Sequence, residues 1–399
     1  MFTSFILLIT LIFQSNAYNN TNNPIITIKY QKVQDEFFFP ITLSKYETEN
    51  LYIEISLSSN FTFLSISAHL NKGISLDNCD STILSINNRQ FKGYLLSSNL
   101  ILKERPIELI HDFSFYYINS SMIDRYAWLG LSLGNTNPKF SLVHKMKEEH
   151  LINKLSFSFS PTYSSYLGIG EIHFGGISTM MAVNRYRSSC DSNTYYQQWN
   201  CKMKGIFIGN ISNATSQLAS QLIKADNLFI EANSKYLTVN QHFWNIINET
   251  FLNAYFTNRI CEYKENFNKV QEIQCVCHKL YNFPHFNFIF SNGNTVTLKQ
   301  SDLFRQYNNI CILYIKANNL LESKSFEIGT PIMNSYHVLF DYETTSITWY
   351  SNYPFFTLKN MKSNELKFKY IILNIAILLI YNIFLFSIFC NKNKYTTHT

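Results

Sequence analysis

Residues 327–350, EIGTPIMNSYHVLFDYETTSITWY, are the stretch of this chain from which the fold is most readily predicted. After a short apolar entry and Gly329, residues 338–340 and 346–350 are rich in β-branched and aromatic side chains, which is typical of strands. Residues 341–345 lie between them and supply the polar residues of a hairpin turn. The stretch therefore predicts a buried β-hairpin near the end of a β-rich domain.

The composition indicates a folded, mostly β protein that is large enough for two units. Of the 399 residues, 46% are hydrophobic and 16% are aromatic, whereas only 15% are charged. A chain of this length can bury two cores of about 150 residues each. The net charge of +6 is small for the length and forms no dense basic cluster, so we predict no nucleic-acid partner.

Both ends of the chain carry apolar segments that predict targeting and anchoring. Residues 1–17, MFTSFILLITLIFQSNA, end in a small-x-small cleavage site and predict a secretory signal peptide, although no Lys or Arg precedes the apolar core. Residues 370–390 carry no charge and are long enough to span a bilayer. Because charged residues follow at 391–399, we predict a transmembrane helix with a short cytosolic tail rather than a lipid anchor. Such a single-pass type I protein has its ectodomain in the lumen or outside the cell.

Motifs typical of secreted proteins precede the predicted span. The glycosylation motif Asn-x-Ser/Thr occurs at Asn19, Asn60, Asn119, Asn210, Asn213 and Asn248. Seven of the eight cysteines also precede the span, in a compartment that favours disulfides, and their odd number leaves one free or paired outside the chain. The short separation of Cys190 and Cys201 favours a disulfide between them. Cys390, at the inner membrane edge, is compatible with palmitoylation and equally with an unmodified residue.

Three motifs resemble those of a known family in their residues, in their order along the chain and in their spacing. Residues 327–341 are similar, without a gap, to the pattern I-L-G-x-x-F-L-R-x-Y-Y-V-V-F-D. Residues 170–177, GEIHFGGI, closely match G-E-L-x-F-G-G-I, and residues 128–134, WLGLSLG, resemble G-I-L-G-L-G. These are patterns of the pepsin-like aspartic proteases, the peptidase A1 domain family, and the resemblance covers about residues 51–350.

The resemblance implies a mostly β, bilobal fold with a cleft between two β-lobes. We place the N-terminal lobe at residues 18–188, the C-terminal lobe at 189–352 and a juxtamembrane linker at 353–369. In this family a β-hairpin forms a flap that closes over the cleft. Here we expect the flap to be missing or shortened to a stub around residues 87–90.

The positions that correspond to the family's catalytic residues lack its chemistry. Pepsin-like proteases use two Asp carboxylates that share one proton, one acting as acid and the other as base for a water. By position, the first Asp corresponds to Ser67 and the second to Glu231. The hydroxyl and the Gly that follow each Asp are replaced by Ala-His at residues 68–69 and by Ala-Asn at residues 232–233. No Asp-Thr-Gly or Asp-Ser-Gly occurs in the chain, so we expect no intact catalytic dyad.

The resemblance also bears on the remaining cysteines. The family usually has a disulfide in the second lobe, which suggests a bond between Cys311 and either Cys275 or Cys277. Cys275, Cys277 and His278 leave a metal site as the lesser alternative. No cofactor or nucleotide motif occurs in the sequence, and we predict neither.

Three functions are compatible with these features. We favour a membrane-anchored pseudoprotease whose cleft binds a peptide, a protein or a glycan without cutting it, or whose surface serves in recognition. A working aspartic endopeptidase is the first alternative, and it needs a second carboxylate close to Glu231. The second alternative is a structural surface protein with a closed cleft. The sequence leaves the ligand, the membrane and the oligomeric state open.

Overall fold

The structure, a computed structural model, describes residues 25–33, 36–43, 51–65, 79–86, 89–102, 109–118, 127–161, 169–177, 185–209, 222–265, 271–280 and 282–355. The predicted signal peptide at 1–17, membrane span at 370–390 and tail at 391–399 lie outside these ranges. Within them, no helix has both the length and the apolar composition that crossing a membrane requires.

The described chain is mostly β, as predicted, with its strands in three sheets. The first eleven strands are β1 (Ile26–Val33), β2 (Glu36–Leu43), β3 (Leu51–Ser56), β4 (Phe63–Ser65), β5 (Ser81–Ile86), β6 (Arg89–Ile101), β7 (Leu109–Ile118), β8 (Trp128–Gly130), β9 (Ser156–Ser160), β10 (Ile169–Phe174) and β11 (Tyr186–Asp191). The later ones are β12 (Asn200–Ile208), β13 (Asn227–Ile230), β14 (Leu237–Val239), β15 (Cys261–Glu265), β16 (Gln271–Val276), β17 (Phe286–Phe290), β18 (Thr295–Leu298), β19 (Phe304–Tyr307), β20 (Ile310–Leu313), β21 (Ile315–Ala317), β22 (Ser325–Ile328), β23 (His337–Asp341) and β24 (Ser346–Ser351).

The largest sheet contains strands from both ends of the described chain. Its order is β11-β24-β23-β9-β10-β1-β2-β3-β8-β4-β7-β6-β5. A second sheet has the order β18-β17-β12-β13-β22-β14-β21, and a third has the order β15-β16-β20-β19. Because β23 pairs with β9 and β24 pairs with β11, the last two strands complete a sheet that the N-terminal half begins.

The hairpin predicted from residues 327–350 is present as β23–β24. Alternate residues of both strands are buried, as the period of two requires: Val338, Phe340, Ile347 and Trp349. At the turn, the Asp341 carboxylate accepts hydrogen bonds from the backbone N–H groups of Glu343 at 2.8 Å and Thr344 at 3.1 Å. An Asp at this position therefore stabilises the turn that joins the strands.

Two groups of four strands repeat the same arrangement. In the N-terminal motif, β3 runs parallel to β8, β8 lies antiparallel to β4, and β4 runs parallel to β7. In the C-terminal motif, β13, β22, β14 and β21 have the same three relations in the same order. A Cβ on Gly130 would lie 2.5 Å from the carbonyl oxygen of Phe61, and one on Gly329 would lie 1.9 Å from that of Glu231. Both motifs therefore need Gly where a turn crosses the end of the neighbouring strand.

The helices are short and lie between strands. They are α1 (Leu142–Glu148), α2 (Gln241–Ile247), α3 (Asn253–Thr257), α4 (Gln300–Leu303) and α5 (Thr330–Ser335). A π-helical turn (Asn248–Leu252) joins α2 to α3. Asn240 is the N-cap of α2, and its side chain accepts a hydrogen bond from the Phe243 N–H at 2.9 Å.

An aromatic cluster connects the N-terminal motif to the hairpin β23–β24. Phe157 stacks on Phe340 with ring centroids 4.9 Å apart, and Trp199 lies edge-on to Phe340 at 5.2 Å. The indole N–H of Trp199 and the hydroxyl of Tyr342 donate to the carbonyl oxygen of Leu131, at 2.7 Å and 3.1 Å. Because Leu131 directly follows β8, these contacts position the N-terminal motif against β9 and β23, which lie in another part of the same sheet.

The described residues contain three disulfides: Cys190–Cys201, Cys261–Cys275 and Cys277–Cys311. The first was predicted from its short separation, and the third is one of the two pairings that the resemblance suggested for Cys311. The partner of Cys275 was not predicted. Since Cys275 and Cys277 are both in disulfides, the alternative of a metal site there is wrong. The seventh cysteine, Cys79, is half-buried and packs against the hydrophobic core.

Candidate functional site

The candidate site lies where the turns of the N-terminal motif and the C-terminal motif face each other. Strand β3 ends at Ser56, which the register pairs with Gly130. Strand β13 ends one residue before Glu231, and the backbone of Glu231 lies against Gly329. Ser56 and Glu231 therefore occupy equivalent positions in the two motifs.

The carboxylate of Glu231 is bound by the turn of the N-terminal motif. Its Oε1 atom accepts a hydrogen bond from the Leu57 N–H at 3.0 Å. Its Oε2 atom accepts one from the Ser58 N–H at 3.0 Å and one from the Ser56 hydroxyl at 3.3 Å. We call these three contacts the Glu231 clamp, because they join the two motifs through one side chain.

A second side chain of the same turn, Asn233, also crosses to the N-terminal motif and its neighbour β2. Its amide nitrogen donates to Glu54 Oε2 at 3.2 Å, and its amide oxygen accepts from the Phe37 N–H at 3.3 Å. Glu54 Oε2 also accepts a hydrogen bond from the Trp128 indole at 3.1 Å. The sequence resemblance assigned a Gly of the family's second catalytic turn to this position, and the Asn found here makes side-chain hydrogen bonds that Gly cannot make.

Most hydrogen bonds of the Ser56 hydroxyl are made to residues of its own turn. Its hydroxyl oxygen accepts a hydrogen bond from the Ser59 N–H at 3.1 Å and lies 3.2 Å from the Ser58 hydroxyl. The residue is buried. A hydroxyl does not ionise in the pH range in which carboxyl groups do, so Ser56 cannot share a proton with Glu231 as a second carboxyl group would.

Burial raises the pKa of the Glu231 carboxyl above its ordinary value, and the charge of Glu327 acts in the same direction. The hydrogen bonds from Ser58 and Leu57 favour the charged form and lower the pKa, but they do not overcome burial. Glu231 therefore retains its proton to a higher pH than a free glutamate. Such shifts occur at catalytic acids and also at structural carboxyl groups, so the shift alone does not identify an enzyme.

The sequence motifs did not identify Ser56, the residue that faces Glu231. Ser67, named there as the first family position, lies with residues 68–69 outside the described residues. The strand register gives the equivalent position to Ser56. A signal for it was present, because Ser56 and Glu231 each end an apolar strand and are each followed three residues later by a Ser. Residues 51–57 and residues 61–67 both alternate like a strand with one buried face, so Ser56 and Ser67 were hard to distinguish as the family position.

The hairpin that was expected to be missing or a stub around residues 87–90 is longer than predicted. Strands β5 and β6 pair over six positions, and residues 87–88 between them lie outside the described residues. Leu84 of β5 packs with Phe63 and Ile118 in a small separate cluster. A Cβ on Gly93 would lie 2.4 Å from the Leu84 side chain, so Gly93 makes this packing possible.

Two of the six glycosylation motifs lie in the described part of the chain. Asn60 is exposed, and its amide nitrogen, to which a glycan would be attached, donates to Gln197 Oε1 at 3.1 Å. Asn248 is half-buried within the π-helical turn. The motifs outside the described residues are those at Asn19, Asn119, Asn210 and Asn213.

The chemical capacity of the described site is that of one carboxyl group whose oxygens already accept hydrogen bonds. It can hold or release a single proton, and it can accept hydrogen bonds when the clamp opens. Among known proteins, no family model matches the chain and no curated protein matches its sequence. The functional proposal therefore depends on the sequence motifs and on the geometry of the Glu231 clamp.

Proposed function

We propose that the chain is a membrane-anchored, pepsin-like ectodomain of the peptidase A1 type that has no catalytic activity and binds a peptide or protein between its two lobes. The two repeated motifs support this proposal, because each would form the centre of one lobe. The motif GEIHFGGI adds support. It contains strand β10 and a turn in which Gly175 and Gly176 adopt positive φ angles of 89° and 151°.

The observation that carries the proposal is the Glu231 clamp. Aspartic proteolysis needs two carboxyl groups that share a proton and a water between them. Here the N-terminal motif contributes Ser56 instead of an acid. Both oxygens of the single carboxylate accept hydrogen bonds from Ser56, Leu57 and Ser58. The position that would bind the attacking water is thus used to hold the motifs together.

Loss of the reaction leaves groups that can bind a ligand. Ser58, Glu231 and Asn233 are all partly exposed, and together they offer a hydroxyl, a carboxyl and an amide group. An extended peptide presents N–H and C=O groups that can hydrogen-bond to such side chains. We therefore propose a peptide or a protein segment as the ligand. The signal peptide at 1–17 and the span at 370–390 would place this binding site on the luminal or extracellular side of a membrane.

Cleavage of a peptide mixture tests the loss of catalysis. The purified full-length chain is incubated with a mixture of peptides derived from denatured proteins. The pH is varied between about 3 and about 7, the range in which carboxyl groups titrate. Each reaction is run with and without a transition-state-mimicking inhibitor of aspartic proteases. We expect no cleavage, from protein shown to be folded by a cooperative thermal transition, while an active pepsin-like protease cuts the same mixture. Inhibitor-sensitive cleavage that disappears in Glu231→Gln would sink the proposal.

Retention of peptides by the immobilised chain tests the binding function. Peptides from the same mixture should be retained by the wild type and lost from Ser58→Trp, which places a large ring beside Glu231. Lys204→Trp is the matched control, because Lys204 is exposed on β12, and it should retain peptides normally. No retention by the wild type would favour the structural protein with a closed cleft.

The alternative of a working endopeptidase has one specific observation in its favour. The charge of Glu327 raises the pKa of Glu231, so a second carboxyl group is electrostatically coupled to the site. Glu54 is another acid nearby, but one of its oxygens accepts hydrogen bonds from Trp128 and Asn233. If cleavage were observed, Glu327→Gln and Glu54→Gln would show which of the two acts as the partner of Glu231.

A further inference from the structure

Three buried polar side chains meet between β9, β10 and β23, and none of them belongs to the candidate site. Ser160 Oγ lies 3.0 Å from Nε2 of His173 and 3.0 Å from Nδ1 of His337. Each of the three residues is at most 3% exposed. The other ring nitrogen of His173, Nδ1, lies 2.9 Å from Thr27 Oγ1. We call Ser160, His173 and His337 the Ser160 cluster.

The shared hydroxyl limits how many protons the cluster can take up. A Ser hydroxyl has one hydrogen to donate and two lone pairs that accept. With both rings neutral, Ser160 donates to one ring nitrogen and accepts from the other, and this arrangement also tolerates one added proton. When both His173 and His337 are protonated, both N–H groups point at Ser160 Oγ and the hydroxyl hydrogen has no acceptor on either ring. Two positive charges then face one buried oxygen.

The surroundings of His173 can balance a single charge. Glu171, on the same strand, has Oε2 at 3.6 Å from His173 Nε2. The side chain of Glu171 is 42% exposed, and Lys29 lies opposite Glu171 in the register of β1 and β10. The hydroxyl of Tyr30 donates a hydrogen bond to the Ser160 carbonyl oxygen at 3.0 Å, so Tyr30 adds no charge to the cluster. We therefore expect the first proton at His173, with Glu171 as its partner.

The surroundings of His337 oppose a second charge. Tyr350 lies opposite His337 on β24, and Arg187 lies opposite Tyr350 on β11. Burial, the charge of Arg185 and the proximity of His173 lower the pKa of His337 to about 3. Burial also lowers the pKa of His173, although Glu171 acts in the opposite direction. The cluster thus favours neutral rings at neutral pH.

We propose that the Ser160 cluster is an acid-sensitive lock, in which neutral His173 and His337 hold β23 against β9 and β10 and protonation of both releases this junction. The lock joins a strand from the C-terminal half of the chain to two strands from the N-terminal half. It is a property of the fold and does not depend on the proposed ligand-binding function.

The direction of the pH effect follows from proton linkage. A histidine in the unfolded chain takes up a proton below about pH 6.5, whereas the two buried rings resist protonation. The stability that the neutral rings provide is fully present above that pH and is lost as the pH falls towards the lower pKa values of the folded state. Acidification therefore weakens the fold at this junction, as in other proteins that use buried histidines as pH sensors.

Thermal unfolding of the full-length chain tests the lock. The transition midpoint is measured at about pH 7.5 and about pH 5, which lie on either side of the pKa of a free histidine. We expect a clear drop for the wild type and a drop at most about half as large for the double variant His173→Gln, His337→Gln, because Gln hydrogen-bonds without titrating. His242→Gln, an exposed change on α2, should behave as the wild type. Equal drops in the wild type and the double variant would overturn the proposal.

Hydrogen exchange of the wild type tests the same idea without a variant. After correction for the intrinsic effect of pH, peptides that cover β9 and β23 should lose at least about tenfold of their protection between about pH 7.5 and about pH 5. Peptides that cover β17 and β18, which do not contact the cluster in the sheet order, should keep theirs. Unchanged protection at β9 and β23, or an equal loss in all four strands, would contradict a local lock.

Discussion

Replacement of Glu231 by Ala tests whether the Glu231 clamp holds the N-terminal motif and the C-terminal motif together. The substitution removes the acceptor for the Leu57 N–H, the Ser58 N–H and the Ser56 hydroxyl at once. Because Ala retains the Cβ and tolerates the same backbone, the change acts mainly through these hydrogen bonds. If these hydrogen bonds have a structural role, Glu231→Ala lowers the stability of the fold whether or not Glu231 has a catalytic role.

The size of the loss follows from where the two N–H groups lie. Leu57 has 0% exposed area, and a buried N–H without a partner costs about 1–3 kcal/mol. Ser58 is half-buried, so water can replace the carboxylate there and the loss is about 0.5–1.5 kcal/mol. We therefore expect Glu231→Ala to lower the free energy of unfolding by about 2–4 kcal/mol. At about 2 °C per kcal/mol for a domain of this size, the transition midpoint falls by about 4–8 °C.

Guanidinium unfolding of the full-length chain at neutral pH, followed by tryptophan fluorescence, measures this loss. Glu327→Gln is the matched control, because Glu327 influences the pKa of Glu231 but makes none of the clamp's three hydrogen bonds. The control should change stability by less than about 1 kcal/mol. Glu231→Gln, which keeps one acceptor oxygen, should fall between the two. Equal stability of Glu231→Ala and Glu327→Gln would refute the clamp as a stabilising contact.

Two further substitutions test the geometry of the facing turns. Ser56→Asp places a second carboxyl group where the hydroxyl now lies 3.3 Å from Glu231. Repulsion between the two carboxylates raises the pKa of the pair. Unfolding measurements should therefore give a free energy of unfolding below that of the wild type by about 1–3 kcal/mol at pH 7 and by less at pH 4. An equal loss at both pH values would contradict the facing arrangement. Gly329→Ala puts a Cβ 1.9 Å from a backbone oxygen and should lower the free energy of unfolding by more than about 3 kcal/mol or abolish the yield of folded protein. Ser335→Ala on nearby α5 is its control, and a normal yield of Gly329→Ala would show that the turn can move away.

The sequence by itself determined the elements whose signals are local. The β-branched and aromatic residues at 338–340 and 346–350, on either side of a polar turn, identified the hairpin β23–β24, because such side chains favour strands. Cys190 and Cys201 are only 11 positions apart, so their pairing was also a local inference. Composition was enough for the mostly β class.

Only the tertiary structure decided which distant residues meet. Two successive segments of the N-terminal half alternate like strands, and the pairing of β3 with β8 showed that Ser56, at the end of the first segment, lies opposite Glu231. The contacts between Ser56 and Glu231 and between Ser160 and His337 span 175 and 177 positions. Contacts at such separations depend on strand register and sheet order. The local pattern of a strand does not fix either of them, because the same alternation of side chains fits many registers and many neighbouring strands. Local patterns show that a strand exists, but the packing of the whole chain selects its neighbours, and the candidate site and the Ser160 cluster are both consequences of that selection.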